Sequence, residues 1–150
     1  MKIKKRGVII PDQHFPIQDK KAVEVVLKCI QRIKPDIFIN LGDVGEWASV
    51  SAWQWKGKKQ PPLEYQLPFI KKDIEEVNKG LDLFDNVLPL NCKKIMLEGN
   101  HDDWLNRFVE RYPYMKDYTF RKACKLDERN FRSEERRVGK ECRSRWSPYH

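Results

Sequence analysis

The chain has 150 residues, of which 40% are hydrophobic and 35% are charged, and it carries a formal charge of +8. This length allows a single domain with a sizeable core, and the composition is typical of a soluble globular protein. No stretch is apolar over the length needed to span a bilayer, which excludes membrane insertion.

Two sequence features bear on localisation, namely the N-terminal segment and the spacing of the cysteines. Residues 1–6 are basic, but only the short apolar run 7–10 follows before Pro11, so there is no signal-peptide core. The four cysteines are scattered and form no CxxC pair, a usage typical of reduced thiols. Both features predict a cytoplasmic protein. The positive charge favours phosphate-bearing partners, although residues 132–150 supply +3 of it.

The first predicted elements are a strand and a helix. The run 7–10 is short, apolar and rich in β-branched residues, the pattern of a strand buried on both faces, and Pro11 closes it. Asp19 is placed to cap the following helix. Apolar residues recur at helical spacing after it until the pair Lys34–Pro35 ends the helix.

The second predicted strand covers residues 36–41 and completes a β-α-β unit. Such a unit makes its two strands parallel, with a right-handed crossover. The carboxyl ends of parallel strands meet at one edge of the sheet. Asp12 and Asp43 are therefore expected at the same edge.

The remaining predicted elements continue the alternation. They are a surface loop or short helical excursion over 48–62, a helix over 63–86 that is interrupted or restarted near Pro68, a strand over 94–97, a helix over 102–111, and one more short helix within 114–131. The order β-α-β-α-β-α predicts an α/β fold with mostly parallel strands. Ligands of such folds bind beyond the carboxyl ends of the strands.

Polar side chains follow each of the three predicted strands. They are Asp12 and His14 after the first, Asp43 after the second, and Asn100, His101 and Asp102 after the third. Gly42 and Gly99 allow sharp turns and a close approach of the backbone at these points. Carboxylate, imidazole and amide groups on rigid elements are the ligands that a divalent cation needs. The sequence therefore predicts a metal site at this edge.

The three polar stretches resemble the motifs of the calcineurin-like metallophosphoesterases, which run D-x-H, G-D-x-x-[D/E] and G-N-H-[D/E]. The matching residues are 12–14, 42–46 and 99–102, in the family's order and at typical spacing. The resemblance covers about residues 5–111. It implies a partial αββα metallophosphoesterase sandwich that hydrolyses phosphoester bonds with two divalent metal ions, with Mn the first choice and Fe, Zn or Mg as alternatives.

The resemblance also implies a set of metal ligands. Asp12 and His14 would bind the first ion, Asp43 would bridge the two ions, and Asn100 would bind the second. Glu46 matches its motif but is expected to steady a metal-bound group rather than to bind an ion itself.

The catalytic residues implied by the resemblance are His101 and Asp102. His101 would act as the acid or as the imidazole that contacts the phosphate, and it would help the leaving oxygen depart. Asp102 would orient the ring of His101.

The family's last two motifs, an unaccompanied histidine and a G-H-x-H, have no counterpart, because no histidine lies between His101 and His150. Residues 132–150 have no apolar periodicity and resemble the in-frame translation of a common short-read sequencing adapter. We therefore expect a truncated phosphoesterase domain over 1–131 and a non-native tail over 132–150. Hydrolysis by such a chain is expected to be impaired, and an apolar sheet face to be exposed.

The substrate stays open between a nucleotide, a nucleic acid and a phosphoprotein, and hence between phosphodiesterase and phosphatase activity. A basic aromatic segment lies at 47–59 and contains Trp47, Trp53, Trp55, Lys56, Lys58 and Lys59. Such a segment suits stacking and charge contacts with single-stranded nucleic acid, whereas such aromatics more often cover a core. The alternative function is a catalytically inactive nucleic-acid-binding module that uses this segment.

Overall fold

Four parallel strands form one sheet in the order β1-β2-β3-β4, and helices connect them. This computed structural model describes residues 5–51 and 55–135, the last three of them by main chain alone. The strands are β1 (Gly7–Ile10), β2 (Ile37–Asn40), β3 (Lys93–Glu98) and β4 (Phe131–Glu135). The helices are α1 (Lys20–Ile33), α2 (Leu63–Asp85), α3 (Asp102–Arg111) and α4 (Phe120–Ala123), with short 3₁₀ helices at Ala48–Val50 and Pro113–Tyr118. The predicted α/β class and parallel strands are confirmed.

The helix boundaries follow the capping residues. The Asp19 carboxylate accepts hydrogen bonds from the N–H groups of Lys21 and Ala22, which starts α1, and Lys34 ends it with a left-handed backbone. The helix α2 runs unbroken through Pro68, so the predicted interruption is absent. Among the described residues, none of the helices combines the length and the apolar character that crossing a membrane requires.

The fourth strand begins at the end of the predicted domain and lies mostly in residues 132–135, which the sequence assigned to a non-native tail. After α4 the chain turns at Lys125 and Asn130, which have positive φ values of 53° and 57°, and then runs beside β3. The sequence of β4 is charged and lacks the alternating apolar residues that would predict a strand. Its pairing with β3 is made by main-chain groups, which do not depend on side-chain identity. The adapter-like origin of residues 132–150 therefore stays a prediction.

The segment before β4 is anchored to α2 by one buried cation. Only 11% of the Arg129 side chain is exposed, and its guanidinium pairs with Asp82 at 2.6 Å and with Asp85. It also donates hydrogen bonds to the carbonyl and the side-chain oxygen of Asn78. Charged groups held this way fix the path of the chain into the last strand.

One face of the sheet carries the hydrophobic core. Strands β1, β2 and β3 contribute Ile10, Phe38 and Met96 to it, and each of these residues is at most 7% exposed. Apolar residues of α1, α2 and α3 pack into the same cluster. Right-handed crossovers that all step in one direction along the strand order place every connecting helix on one face.

The opposite face of the sheet is apolar and lies outside this core. Ile9, Ile39 and Ile95 pair in one row across β1, β2 and β3. Ile9 is 59% exposed, and none of the three belongs to the core cluster. The prediction that the first strand is buried on both faces is therefore wrong, because the described helices cover one side alone.

Candidate metal centre

The loops that follow β1 and β2 are joined by main-chain hydrogen bonds beyond the ends of the strands. The Asp12 N–H donates to the Gly42 carbonyl at 3.1 Å, and the His14 N–H donates to the Asp43 carbonyl at 3.0 Å. The parallel pairing thus extends into the loops. The predicted position of Asp12 and Asp43 at one edge of the sheet is confirmed.

Two glycines allow the loops after β2 and β3 to approach each other. A Cβ on Gly42 would lie 2.3 Å from the Gly99 nitrogen, and a Cβ on Gly99 would lie 2.3 Å from Asp43 Oδ1. Gly42 also has a φ of +95°. Asp12, His14 and Asp43 adopt positive φ values near 50°, a costly conformation for non-glycine residues that often marks functional sites.

Asp12, His14 and Asp43 form a group suited to a divalent cation. One donor atom from each lies within 4.8 Å of the others. Asp43 is buried with 7% exposure, and its Oδ1 accepts a hydrogen bond from the His101 N–H at 2.8 Å. Carboxylate oxygens and imidazole nitrogen fit Mn, Fe or Zn. Asn100 lies exposed in the adjacent turn.

Glu46 contacts both imidazoles of the site. His14 Nδ1 lies 2.9 Å from Glu46 Oε2, and His101 Nδ1 lies 3.0 Å from the Glu46 carbonyl oxygen. Donor atoms of these three residues also lie within 4.8 Å of one another. A carboxylate and a carbonyl can only accept, so each Nδ1 carries a proton. The free atom of each ring is then Nε2, which can bind a cation or exchange a proton.

The ring of His101 is held by two aromatic contacts. It stacks on Trp104 with centroids 4.0 Å apart, and it meets the ring of His14 edge-on at 4.7 Å. Trp104 lies outside the three motifs found in the sequence. The spacing of three residues at a helix start was the available signal for this contact, since such residues are neighbours on a helix.

Asp102 makes different contacts from those expected. The sequence suggested that it orients His101, but its carboxylate faces the main chain of two loops. Its oxygens accept hydrogen bonds from Asp43 N at 2.7 Å, Val44 N at 3.2 Å, Gly99 N at 3.0 Å and Trp47 Nε1 at 2.9 Å. Burial raises the pKa of Asp102 to about 6. The hydrogen bond from Trp47 acts in the opposite direction and lowers this pKa. Asp102 therefore joins the loop after β2 to the loop after β3.

The basic aromatic segment at 47–59 is divided between core and surface. Trp47 is 1% exposed and packs in the core, so it is not available to stack on a ligand. Trp55 is partly exposed, and Lys56, Lys58 and Lys59 are exposed. Trp53 lies outside the described residues.

Comparison with known proteins identifies a family and two phage relatives. A family model described as calcineurin-like phosphoesterase matches residues 6–139. "Gene 54 protein" of Mycobacterium phage L5 is 27% identical over 133 residues, which cover 82% of this chain and 48% of the relative. "Gene 54 protein" of Mycobacterium phage D29 is 28% identical over 114 residues, which cover 70% and 40%. The chain thus spans about half the length of these relatives or less. No solved structure matches it.

Proposed function

Since this chain belongs to the calcineurin-like phosphoesterase family, we propose that Asp12, His14 and Asp43 form the centre of a cytoplasmic, manganese-dependent phosphoesterase. The family uses two divalent metal ions and acts on phosphorylated substrates. The observation that carries the assignment is the convergence of three donor atoms within 4.8 Å at one edge of the sheet. Divalent ions bound there would neutralise phosphoryl oxygens and activate water.

We assign Asp43 as the ligand shared by the two ions and Asn100 as a ligand of the second ion. The Asp43 carboxylate is buried and accepts the His101 N–H through Oδ1, and its remaining acceptor capacity would bind the cations. Asn100 follows Gly99 in the turn, and its amide oxygen would bind the second ion. Glu46 stays outside the ligand set and holds His14 through Nδ1.

His101 is the proposed acid. Its Nδ1 proton is held by the Glu46 carbonyl, so Nε2 is the atom that would pass a proton to the leaving oxygen. Stacking on Trp104 fixes the direction of that nitrogen. Asp102 acts as a positioning residue, because its carboxylate holds the main chain of Asp43 and Gly99.

We propose a domain boundary after residue 131. We assign residues 1–131 to the phosphoesterase domain and 132–150 to a non-native tail, although the family match reaches residue 139. Support comes from residues 132–150 themselves, which have no apolar periodicity and resemble a translated sequencing adapter. Genomic DNA that continues past codon 131 to an isolated histidine and a G-H-x-H supports this assignment, and DNA that encodes residues 132–150 as printed rejects it.

The experiment measures metal binding and turnover separately. Titration calorimetry of the 150-residue chain with Mn²⁺ is expected to show binding that Asp43→Asn weakens at least tenfold, because a charged ligand is lost. Asp103→Asn is the matched control. Asp103 is the adjacent acidic residue after Asp102, partly exposed and paired with Arg107 at 2.6 Å, so its substitution should leave Mn²⁺ binding unchanged.

Turnover is measured with bis-p-nitrophenyl phosphate on the extended chain, meaning the chain that genomic DNA past codon 131 encodes. Hydrolysis is expected to require Mn²⁺ and to be lost in Asp43→Asn. His101→Gln should lower kcat by a factor of about 10² to 10⁴ while Mn²⁺ still binds, since it removes only the acid. Equal hydrolysis in the presence of EDTA, or an Asp43→Asn variant as active as Asp103→Asn, would overturn the assignment.

A further inference from the structure

A concave feature apart from the metal centre lies between the 3₁₀ helix Ala48–Val50 and the N-terminal half of α2. It is a half-open cavity of about 320 Å³. Its walls include Ser49, Trp55, Pro61, Tyr65, Gln66 and Phe69. The volume lies at the lower end of the range for small-molecule pockets, so it suits one planar ring system rather than a large ligand.

Three aromatic side chains line this cavity. Tyr65 and Phe69 are 65% and 53% exposed, although both are large and carried by a helix that is otherwise well packed. They lie one helical turn apart on α2, with ring centroids separated by 5.8 Å and inclined at 49°. Trp55 completes the wall. Exposed aromatic faces gathered at a cavity are surfaces on which a planar ligand stacks.

Polar contacts fix the walls of the cavity. Gln66 is 3% exposed and donates to the Pro61 carbonyl at 2.5 Å, and Ser49 Oγ donates to Asp73 at 2.6 Å. A preformed wall lowers the ordering cost of binding. The indole N–H of Trp55 is buried and has no hydrogen-bond partner in the described part of the chain. A polar ligand in the cavity that accepted this hydrogen bond would satisfy a donor that is otherwise unpaired.

Charge and position connect the cavity to the candidate metal centre. Lys56, Lys58 and Lys59 follow Trp55 directly and are all exposed. Closely spaced lysines attract the phosphates of a nucleic-acid strand. The cavity wall includes Ala48, which follows Glu46 by two residues, so the wall and the loop that contacts His14 belong to one continuous segment.

We propose that this cavity binds a nucleobase of single-stranded nucleic acid and thereby presents a backbone phosphodiester to the metal centre. The inference rests on the proposed function and narrows its substrate to nucleic-acid strands. Charge favours a base over an aromatic side chain of a protein partner, because a peptide lacks the regular phosphates that the lysines would contact. Bases of a duplex are stacked and paired, so a single strand is required.

The experiment measures the fluorescence anisotropy of labelled 12-residue oligothymidylate with the 150-residue chain in EDTA. A 12-residue abasic strand carries the same phosphates without bases, and we expect it to bind at least about tenfold more weakly. The Tyr65→Ala/Phe69→Ala variant should lose about tenfold or more in affinity for oligothymidylate and keep its weak affinity for the abasic strand.

Tyr114→Ala is the matched control for the double variant. Tyr114 is 71% exposed but lies outside the cavity, so its removal should leave oligothymidylate binding unchanged. Circular dichroism checks that each variant is folded. If the double substitution unfolds the chain, Trp55→Phe is used instead, because it removes the indole donor but keeps a ring. Its expected result is a smaller loss, also confined to oligothymidylate.

Two outcomes overturn the inference. Equal affinity for oligothymidylate and the abasic strand would show charge attraction alone, and tighter binding of a tyrosine-rich peptide would assign the cavity to a protein partner. Binding in EDTA is independent of turnover, which separates this inference from the proposed function. Base-dependent binding without Mn²⁺-dependent hydrolysis by the extended chain would reject the phosphoesterase, and hydrolysis without base-dependent binding would reject the cavity as a base site.

Discussion

The two faces of the sheet are built from neighbouring residues of the same strands but have different surroundings. Phe38 is fully buried between Phe84 and Phe131, with ring centroids 5.6 and 6.3 Å away, whereas Ile39 belongs to the row outside the core. Parallel sheets normally have both faces covered. An apolar strand sequence shows which residues avoid water, whereas the direction of the crossovers decides which face the helices cover.

We call the sheet face that carries Phe38 and the helices the covered face, and the face that carries Ile9 and Ile39 the open face. The candidate metal centre is positioned by residues on the covered face. Phe15 and Trp47, which follow the ligand-bearing stretches after β1 and β2, are 2% and 1% exposed and belong to the core on that face. Asp102 begins α3, which packs on the same face through Leu105. The loops are therefore positioned by the helix-covered side, and the open face is expected to contribute little to the geometry of the site.

The largest difference between the faces is expected in the free energy of unfolding. Phe38→Ala should lower it by about 4 kcal/mol, because it leaves a cavity among packed aromatic rings. Ile39→Ala should lower it by roughly 1 kcal/mol, since that side chain has no core packing to lose. Urea denaturation followed by circular dichroism measures both. Similar losses in the two variants would show that the open face is covered in solution.

A smaller effect is expected where the covered side reaches the metal centre. Asp102→Ala removes the acceptor of hydrogen bonds from two loops and should lower the free energy of unfolding by about 2–3 kcal/mol, because buried N–H groups lose their partner. The same variant should weaken Mn²⁺ binding, since Asp43 is no longer held. Asp103→Asn is the control. A stable Asp102→Ala chain with unchanged Mn²⁺ affinity would show that the loops hold their positions without this carboxylate.

The local elements could be predicted from the sequence because their signals are local. The cap at Asp19 and the stop at Lys34 lie within or next to the helix that they bound, and the bounds of α3 agree with the prediction. The strand β4 could not be predicted in this way. Its side chains carry no alternating apolar pattern, and it exists through main-chain pairing with the free edge of β3.

The site could be predicted as a meeting of loops, but the partners within it could not. Polar residues after three parallel strands must gather at one edge, which brought Asp12 and Asp43 together. The hydrogen bond from Asp43 N to Asp102 joins residues 59 positions apart, and no local pattern distinguishes it from a contact with the neighbouring His101. The sequence left Trp47 open between a place in the core and a ligand-stacking role, and its 1% exposure places it in the core.

The smallest effect on stability is expected at Ile9, the exposed isoleucine of the open face. Ile9→Lys should change the free energy of unfolding by less than about 0.5 kcal/mol, because Ile9 is 59% exposed. It should nevertheless reduce self-association, since a contiguous apolar row on a sheet with an open edge favours contacts between copies. Sedimentation velocity over a range of concentrations measures this. Val25→Lys is the matched control, because Val25 is 65% exposed on α1, on the helix-covered side. Equal reduction by both variants would mean that added charge alone suppresses association, whereas a reduction by Ile9→Lys only would assign the contact to the open face.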